Sequence, residues 1–301
     1  MTPNKFELLR EALPYIQRFK NKIFVVKLSG KITEDKENLA ALSEEIALLN
    51  QVGIKICVIH GGGKQLTELA QKLGVTQTIV GGRRVTDDET LELAKMIFAG
   101  KINTDILASF RKRGIHAVGL SGIDGNIINA KKRLPQEVRD VAEGSSVMVD
   151  FGNVGEIIEI NTELLSLLLD AHYLPVVSSL GADSNGDVFN INADTIAAEV
   201  AARLNAEKLI VLSDVNGIYL DSSNAESKIS VLTKEDAQEL IESGKATGGM
   251  IPKLESFLRL LESGVNSIHV INGNLRNSLL MEVFTDTGTG TMIVETKKGT
   301  S

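Results

Sequence analysis

Short apolar runs rich in β-branched residues recur along the chain, and stretches with helical spacing separate most of them. The runs are Ile23–Leu28, Ile54–Ile59, His116–Leu120, Leu174–Ser178, Leu209–Ser213 and Ser267–Ile271. Between them, Leu39, Leu42, Ile46 and Leu49 recur at helical intervals, as do Leu66, Leu69 and Leu73, and later Leu254, Phe257, Leu258 and Leu261. A strand that is apolar at nearly every position has no face to give to water. It belongs in a mainly parallel sheet covered by helices on both sides, which predicts an α/β three-layer sandwich. In such sheets the loops at the carboxyl ends of the strands carry the chemistry.

The stretch from Gly122 to Glu159 breaks this pattern. Apolar pairs and triplets at Ile127-Ile128 and Val147–Val149 lie among turn signals at Asp124-Gly125 and Gly152-Asn153, as in an antiparallel hairpin region that forms a lid or flank. With no repeat or linker in sight, two lobes within one continuous body are expected, 21–205 and 206–301, divided near Asn205. Residues 1–20 form a separate amphipathic helix with Phe6, Leu9, Leu13 and Ile16 on one stripe and a kink at Pro14. Either the body of the same chain or another subunit covers that stripe; the sequence leaves both open.

Composition narrows the function classes. The chain has 301 residues, 43% of them hydrophobic, and its 32 Lys and Arg against 39 Asp and Glu give a net charge of −7. A sequence-independent hold on nucleic acid or on an anionic membrane needs surplus positive charge, so small molecules and copies of the same chain are the expected partners. The single cysteine, Cys57, lies in an apolar run and is read as a buried, inert thiol in a reducing compartment. The amino terminus is punctuated by Lys5, Glu7, Arg10 and Glu11 and has no signal-peptide stretch, and no window is apolar enough to span a bilayer. The expected location is the cytoplasm.

Several strand ends carry unusual residues. Lys27 stands near the end of the first strand beside Ser29-Gly30, where a buried ammonium needs an anion, either a ligand phosphate or a protein carboxylate. The second strand runs into His60-Gly61-Gly62-Gly63-Lys64, whose glycines let backbone N–H groups approach an anion at a helix amino terminus. This is neither a P-loop nor GxGxxG. His60 itself is expected to be a satisfied strand-end histidine. In Gly81-Gly82-Arg83-Arg84-Val85-Thr86-Asp87-Asp88-Glu89, Thr86 and Glu89 read as a capping box, leaving the arginines in a loop where one can grip a carboxylate through its planar fork. Asp194, in Asn190-Ile191-Asn192-Ala193-Asp194-Thr195, reads either as a helix N-cap or as a site residue. Ser213-Asp214 closes another strand, and Thr247-Gly248-Gly249-Met250-Ile251-Pro252-Lys253 opens a helix with a lysine set against its dipole, a place that makes sense beside an anion.

Taken in order, these segments resemble the acetylglutamate kinases of the amino acid kinase family, over nearly the whole chain from about Arg10 to Ile293. Glu11-Ala12-Leu13-Pro14-Tyr15-Ile16, His60–Gly63, Arg84-Val85-Thr86, Gly119-Leu120-Ser121-Gly122, Asn190–Asp194 and Gly248–Lys253 carry the resemblance. It implies transfer of a phosphoryl group from ATP to the side-chain carboxylate of N-acetyl-L-glutamate, with Mg²⁺ held mainly by the nucleotide. It also implies roles. Lys27 and Lys253 neutralise the transferring group, Asp194 holds the two lysines, and Gly62 and Gly63 contact substrate and phosphoryl oxygens. Arg84 and Asn190 bind the α-carboxylate, and Gly30, Ser213, Asp214, Thr247 and Gly248 bind ATP. An ionised γ-carboxylate needs no general base, which suits motifs built of lysines and glycines.

Two departures and one overlap of motifs keep alternatives in play. Ser29 gives Lys-Leu-Ser-Gly as in bacterial UMP kinases, Ile123 replaces a usual lysine, and kinases of aminoadipate derivatives share most of these motifs. Arginine-sensing modules of the same fold lose the lysines, and here Lys27, Asp194 and Lys253 are all present. The kinked amino-terminal helix resembles that of arginine-inhibited ring-shaped hexamers built from dimers. Tyr15, Glu282, Gly288 and Gly290 resemble an arginine site in which Glu282 faces the guanidinium, although Asn277 stands where a histidine is usual.

Overall fold

A computed structural model describes residues 5–81, 83–139, 146–220, 224–244, 250–286 and 288–296. Helix α1 (Lys5–Phe19) continues past Pro14 and leads into β1 (Ile23–Leu28). Helices α2 (Gly30–Glu34) and α3 (Lys36–Gln51) precede β2 (Lys55–His60), and α4 (Gly63–Leu73) follows it. A small hairpin of β3 (Ile79–Val80) and β4 (Arg83–Arg84) leads to α5 (Asp88–Lys95), which passes through a π-helical stretch (Met96–Ile102) into α6 (Asn103–Arg111). After β5 (Ala117–Ser121) comes the expected antiparallel region. There β6 (Ile128–Lys132) pairs with β9 (Gly155–Ile160), and β7 (Gln136–Arg139) pairs with β8 (Ser146–Val149). Helix α7 (Glu163–Asp170), strands β10 (Leu174–Ser178), β11 (Leu180–Ala182) and β12 (Val188–Asn190), and helix α8 (Ala193–Arg203) complete the first half.

The second half begins at β13 (Lys208–Ser213), just past Asn205, whose φ of 49° is the left-handed turn asparagine tolerates. It continues through β14 (Ile218–Tyr219), β15 (Lys228–Ile229), β16 (Val231–Thr233), α9 (Lys234–Glu242), α10 (Met250–Glu262), β17 (Ile268–Asn272), α11 (Ser278–Phe284) and β18 (Thr291–Val294). The main sheet has the order β16-β18-β17-β13-β1-β2-β10-β5 and is parallel except where β17 meets β18. The two halves of the chain meet along β1 and β13, so one sheet runs through both.

Period-two alternation sorts the strand residues onto two covered faces. Val25, Cys57, Ile59 and Val177 pack with Ile196 and Val200 of α8 and Leu254 of α10. Phe24, Val26, Leu28, Ile56 and Val58 pack with Leu39, Leu42, Ile46 and Leu49 of α3 and with Ile106 and Phe110 of α6. Helices therefore cover both faces, as the unbroken apolar strands require. Lys27 follows Val25 on the α8 side of the sheet. The periodicity of α4 overreaches by one residue, since Leu73 is 59% exposed at the end of the helix.

Two capping expectations are corrected. Asp87, not Thr86, caps α5, accepting from Thr90 N at 2.8 Å. Thr86 is fully buried and committed elsewhere, its N–H to Phe151 O and its carbonyl to Asn153 N. Asn192, not Asp194, caps α8, its Oδ1 accepting from the N–H groups of Asp194 and Thr195. The side chain of Asp194 is thereby released for another use.

Candidate active site

A cleft of about 670 Å³ opens at the carboxyl ends of β1 and β2. Lys27 reaches it from the central strand, with its side chain 13% exposed, and Asp194 meets it from the first turn of α8 at an Nζ to Oδ1 distance of 2.8 Å. This contact is an ion pair lying outside hydrogen-bond alignment. Of the two readings of Lys27, the protein carboxylate is thus real, and the pair still faces open space. An ammonium half-satisfied at a cleft wall keeps donors for a second anion.

The glycine turn between β2 and α4 forms the floor. A Cβ on Gly62 would stand 2.2 Å from Ile102 Cδ1 and 2.8 Å from the ring of Phe98, so only glycine lets the π-helical stretch pack this close. At Gly63 a Cβ would meet nothing, leaving that backbone open to the cleft at the start of α4. Gly30 also lines the cleft, against Gln65. His60 is fully buried and is the satisfied histidine expected. Its Nδ1 donates to Gly61 O, its Nε2 accepts from Asn103 Nδ2, and burial pushes it down to about 4, so it stays neutral. Burial likewise pushes the Cys57 thiol up to about 12, which makes it inert.

Arg84 and Asn190 also line the cleft. Arg84 reaches back to α4, its Nη2 donating to Gly63 O at 2.9 Å and Thr67 Oγ1 at 2.8 Å, and its Nη1 to Gln77. Desolvation pulls its guanidinium below its ordinary value without threatening its charge. Asn190 donates from Nδ2 to Thr86 Oγ1 at 3.2 Å, which explains why that threonine is buried here. The lining contains five basic side chains, Lys27, Arg83, Arg84, Arg133 and Arg259, against two acidic ones, Asp194 and Glu199, in a chain of net charge −7. The cleft is built for an anion. Arg133, Arg259, Ser179 and Glu199 are absent from the sequence reading, because only chain packing brings them here.

The structure does not bring every expected residue to this cleft. Lys253 is exposed in the first turn of α10, without a partner among the described residues, whereas Ser256, Arg259 and Leu260 of the same helix line the cleft. Ser213 and Asp214 lie beyond it at the end of β13, where Asp214 pairs with Lys31 and is held below its ordinary range by that hydrogen bond. Thr247 and Gly248 lie outside the described residues.

A second cluster joins α1 to the far end of the chain. Tyr15 Oη donates to Asp286 Oδ1. Glu282 points inward, its Oε1 accepting from His269 Nδ1 at 2.7 Å and its Oε2 from Thr289 N and Gly290 N. Gly288 has a φ of 58°, and a Cβ there would stand 2.6 Å from Glu282 Oε2. Lys208, pushed down to about 8 by burial, donates to His269 Nε2 at 2.9 Å. Both carboxylate oxygens of Glu282 are therefore engaged within the chain.

The model of the amino acid kinase family matches residues 22–272, a span that holds the glycine turn, Lys27 and Asp194. The chain belongs to the amino acid kinase family. A protein of Methanocaldococcus jannaschii named acetylglutamate kinase is 47% identical over 289 residues, 96% of each chain. One of the same name from Symbiobacterium thermophilum is 42% identical over 97% of this chain and 98% of its own. Among solved structures, N-acetylglutamate synthase of Neisseria gonorrhoeae, complexed with coenzyme A and N-acetyl-glutamate, superposes with a TM-score of 0.81 at 29% identity and covers 98% of this chain. This chain spans 65% of that synthase. Its complex with coenzyme A and L-arginine gives a TM-score of 0.78 at 29% identity, over 98% of this chain and 66% of the synthase. Among the described residues no helix is long and apolar enough to cross a membrane, and no three His, Cys, Asp or Glu side chains are grouped to hold a metal.

Proposed function

We propose that this chain transfers the γ-phosphoryl group of ATP to the side-chain carboxylate of N-acetyl-L-glutamate, giving N-acetylglutamyl 5-phosphate and ADP, an early step of arginine biosynthesis. The observation that carries the reading is that the Lys27–Asp194 pair, the open Gly63 backbone, Arg84 and Asn190 all line one basic cleft. A γ-carboxylate is ionised at neutral pH, so its oxygen attacks phosphorus without a base, and the bridging oxygen leaves with ADP. The barrier is the approach of an anion to a polyanion. Alignment, the Lys27 ammonium and the N–H groups at the start of α4 lower it. Asp194 acts by fixing Lys27 at the cleft wall. Arg84, pinned to α4, and Asn190, pinned to Thr86, hold the α-carboxylate.

ATP lies toward Gly30, Ser213 and Asp214 in this reading, and Lys31 gives up Asp214 as nucleotide enters. Mg²⁺ carried by the nucleotide would supply neutralising charge at the phosphates. Lys253, in the first turn of α10, is the second ammonium given to the phosphoryl group in this reading. We assign the first half, 21–205, to the acyl amino acid and subunit pairing, and the second, 206–301, to ATP. We further infer that L-arginine is an effector bound near Tyr15, Glu282, Gly288 and Gly290, and that α1 closes a hexameric ring in the cytoplasm. The conformational coupling would come from arginine favouring an open arrangement.

A coupled ADP-release assay with N-acetylglutamate, N-acetylaminoadipate, UMP and aspartate tests the substrate. N-acetylglutamate gives the highest kcat/KM; a higher value with UMP or the aminoadipate derivative overturns the assignment.

A further inference from the structure

Arg133 follows the last residue of β6 and lines the cleft, yet no described residue takes a hydrogen bond or ion pair from its side chain. Its Nε is buried without a partner. The acidic group nearest in influence, Glu156, lies 3.4 Å from Lys131 and is engaged there. Desolvation, with the neighbouring charge of Arg83, pulls the Arg133 guanidinium below its ordinary value. A half-buried cation next to another cation, with an unused buried donor, is costly by itself and is relieved by an anion.

The backbone fixes where that anion lies. Arg133 N donates to Val154 O at 2.8 Å, Val154 forms a parallel bridge with Asn190, and Asn190 N donates to Asn153 O. Arg133 thus belongs to the cross-strand row that carries Asn190, one of the residues given to the α-carboxylate in the reading above. Arg84 in the same region already spends three N–H bonds on Gly63, Thr67 and Gln77, out of the five donors of a guanidinium. One more fork is needed to satisfy a carboxylate fully.

We propose that Arg133 is a second arginine for the non-reacting carboxylate of the acyl amino acid, and that it sets, with Arg84, the preference for a two-carboxylate substrate. The proposal rests on the N-acetylglutamate reading of the cleft. A guanidinium aimed at a carboxylate acts on binding, since that group carries the same charge before and during transfer.

The test compares N-acetylglutamate with 4-acetamidobutanoate, which keeps the reacting carboxylate and lacks the other, in the full chain and in its Arg133→Gln and Arg133→Lys variants. Arg133→Gln raises KM for N-acetylglutamate about 10- to 100-fold, the range for a charged hydrogen bond, with kcat and the ATP KM within about threefold. On 4-acetamidobutanoate the same variant changes kcat/KM by less than about threefold, so the preference for the second carboxylate shrinks. Arg133→Lys recovers only part of it. Equal losses on both substrates mean that Arg133 only supports the hairpin region, and a raised ATP KM means that it serves phosphate; either overturns the proposal. A native chain inactive on N-acetylglutamate overturns the functional reading itself, and the proposal with it.

Discussion

Replacing Asp194 by alanine separates the two things an aspartate can do at the start of a helix. The cap of α8 is Asn192, so Asp194→Ala leaves it in place and removes instead the carboxylate 2.8 Å from Lys27 Nζ. The pair is partly solvated, with side chains 13% and 33% exposed, so it contributes about 1 kcal/mol of stability after screening. Loss of a negative charge from the first helical turn adds roughly 0.5 kcal/mol. The expected destabilisation is about 1–2 kcal/mol, a fall in Tm of roughly 2–4 °C. Asn192→Ala, which removes the cap, costs a similar amount, about 1 kcal/mol. Turnover tells the two apart. Without its anchor Lys27 no longer meets the phosphoryl group in one place, and loss of one preorganised charge costs about 10²–10³ in kcat. Asn192→Ala keeps kcat within about tenfold. Thermal denaturation and saturating-substrate assays on both variants give the comparison. If Asp194→Ala stayed within tenfold of the native kcat, the ion pair would be structural and the reasoning refuted.

Lys27→Ala and Lys253→Ala each lower turnover by about two orders of magnitude or more while calorimetric binding of N-acetylglutamate largely survives, because both act chiefly on charge that develops during transfer; near-normal turnover in both would dismiss this mechanism. His60, pushed down to about 4 by burial against about 6.5 when unfolded, makes stability depend on pH. The unfolded chain takes up the proton first, so the contribution is fully present above about pH 6.5 and falls by about 3 kcal/mol as pH drops to 4. His60→Gln flattens that part of the profile, and urea midpoints between pH 4 and 7 that fall equally in both proteins would contradict it. Truncation must spare Phe19, which is buried and packs edge-on against Phe24 with ring centroids 5.2 Å apart. Deleting residues 1–17 leaves an active, smaller assembly with a weakened arginine response, and light scattering showing an unchanged subunit count would rule out ring closure by α1.

The unbroken apolar strands and the helical spacing between them were sufficient to specify the layered α/β architecture, because burial on both faces of a strand leaves a mark at every position. Lys27, the glycine turn, Arg84 and Asp194 stood out as candidates for a related reason, since charges and glycines at strand ends call for a partner, whereas Asn190 was marked only by the resemblance to the acetylglutamate kinases. The sequence could not say which residue capped which helix. Thr86 and Asp194 both have cap chemistry, and the choice fell to Asp87 and Asn192 because Thr86 is committed to Phe151 and Asn153, and Asp194 to Lys27. Nor could it show Glu45, on α3, accepting from the N–H groups of Asn277, Leu279 and Leu280 to cap α11 from another element. Asn277 itself, puzzling in the sequence, adopts a φ of 62° at that turn, a left-handed conformation that asparagine tolerates better than most residues. Arg133 is the clearest case. Nothing local marks it, since an arginine after two lysines reads as a solvated charge run. Its place in the cleft comes from β6 pairing with β9 and from Val154 lying beside Asn190, residues more than fifty positions apart in the case of Arg133 and Asn190. Local chemistry is written residue by residue, whereas which distant residues share a wall is decided only when the strands pair.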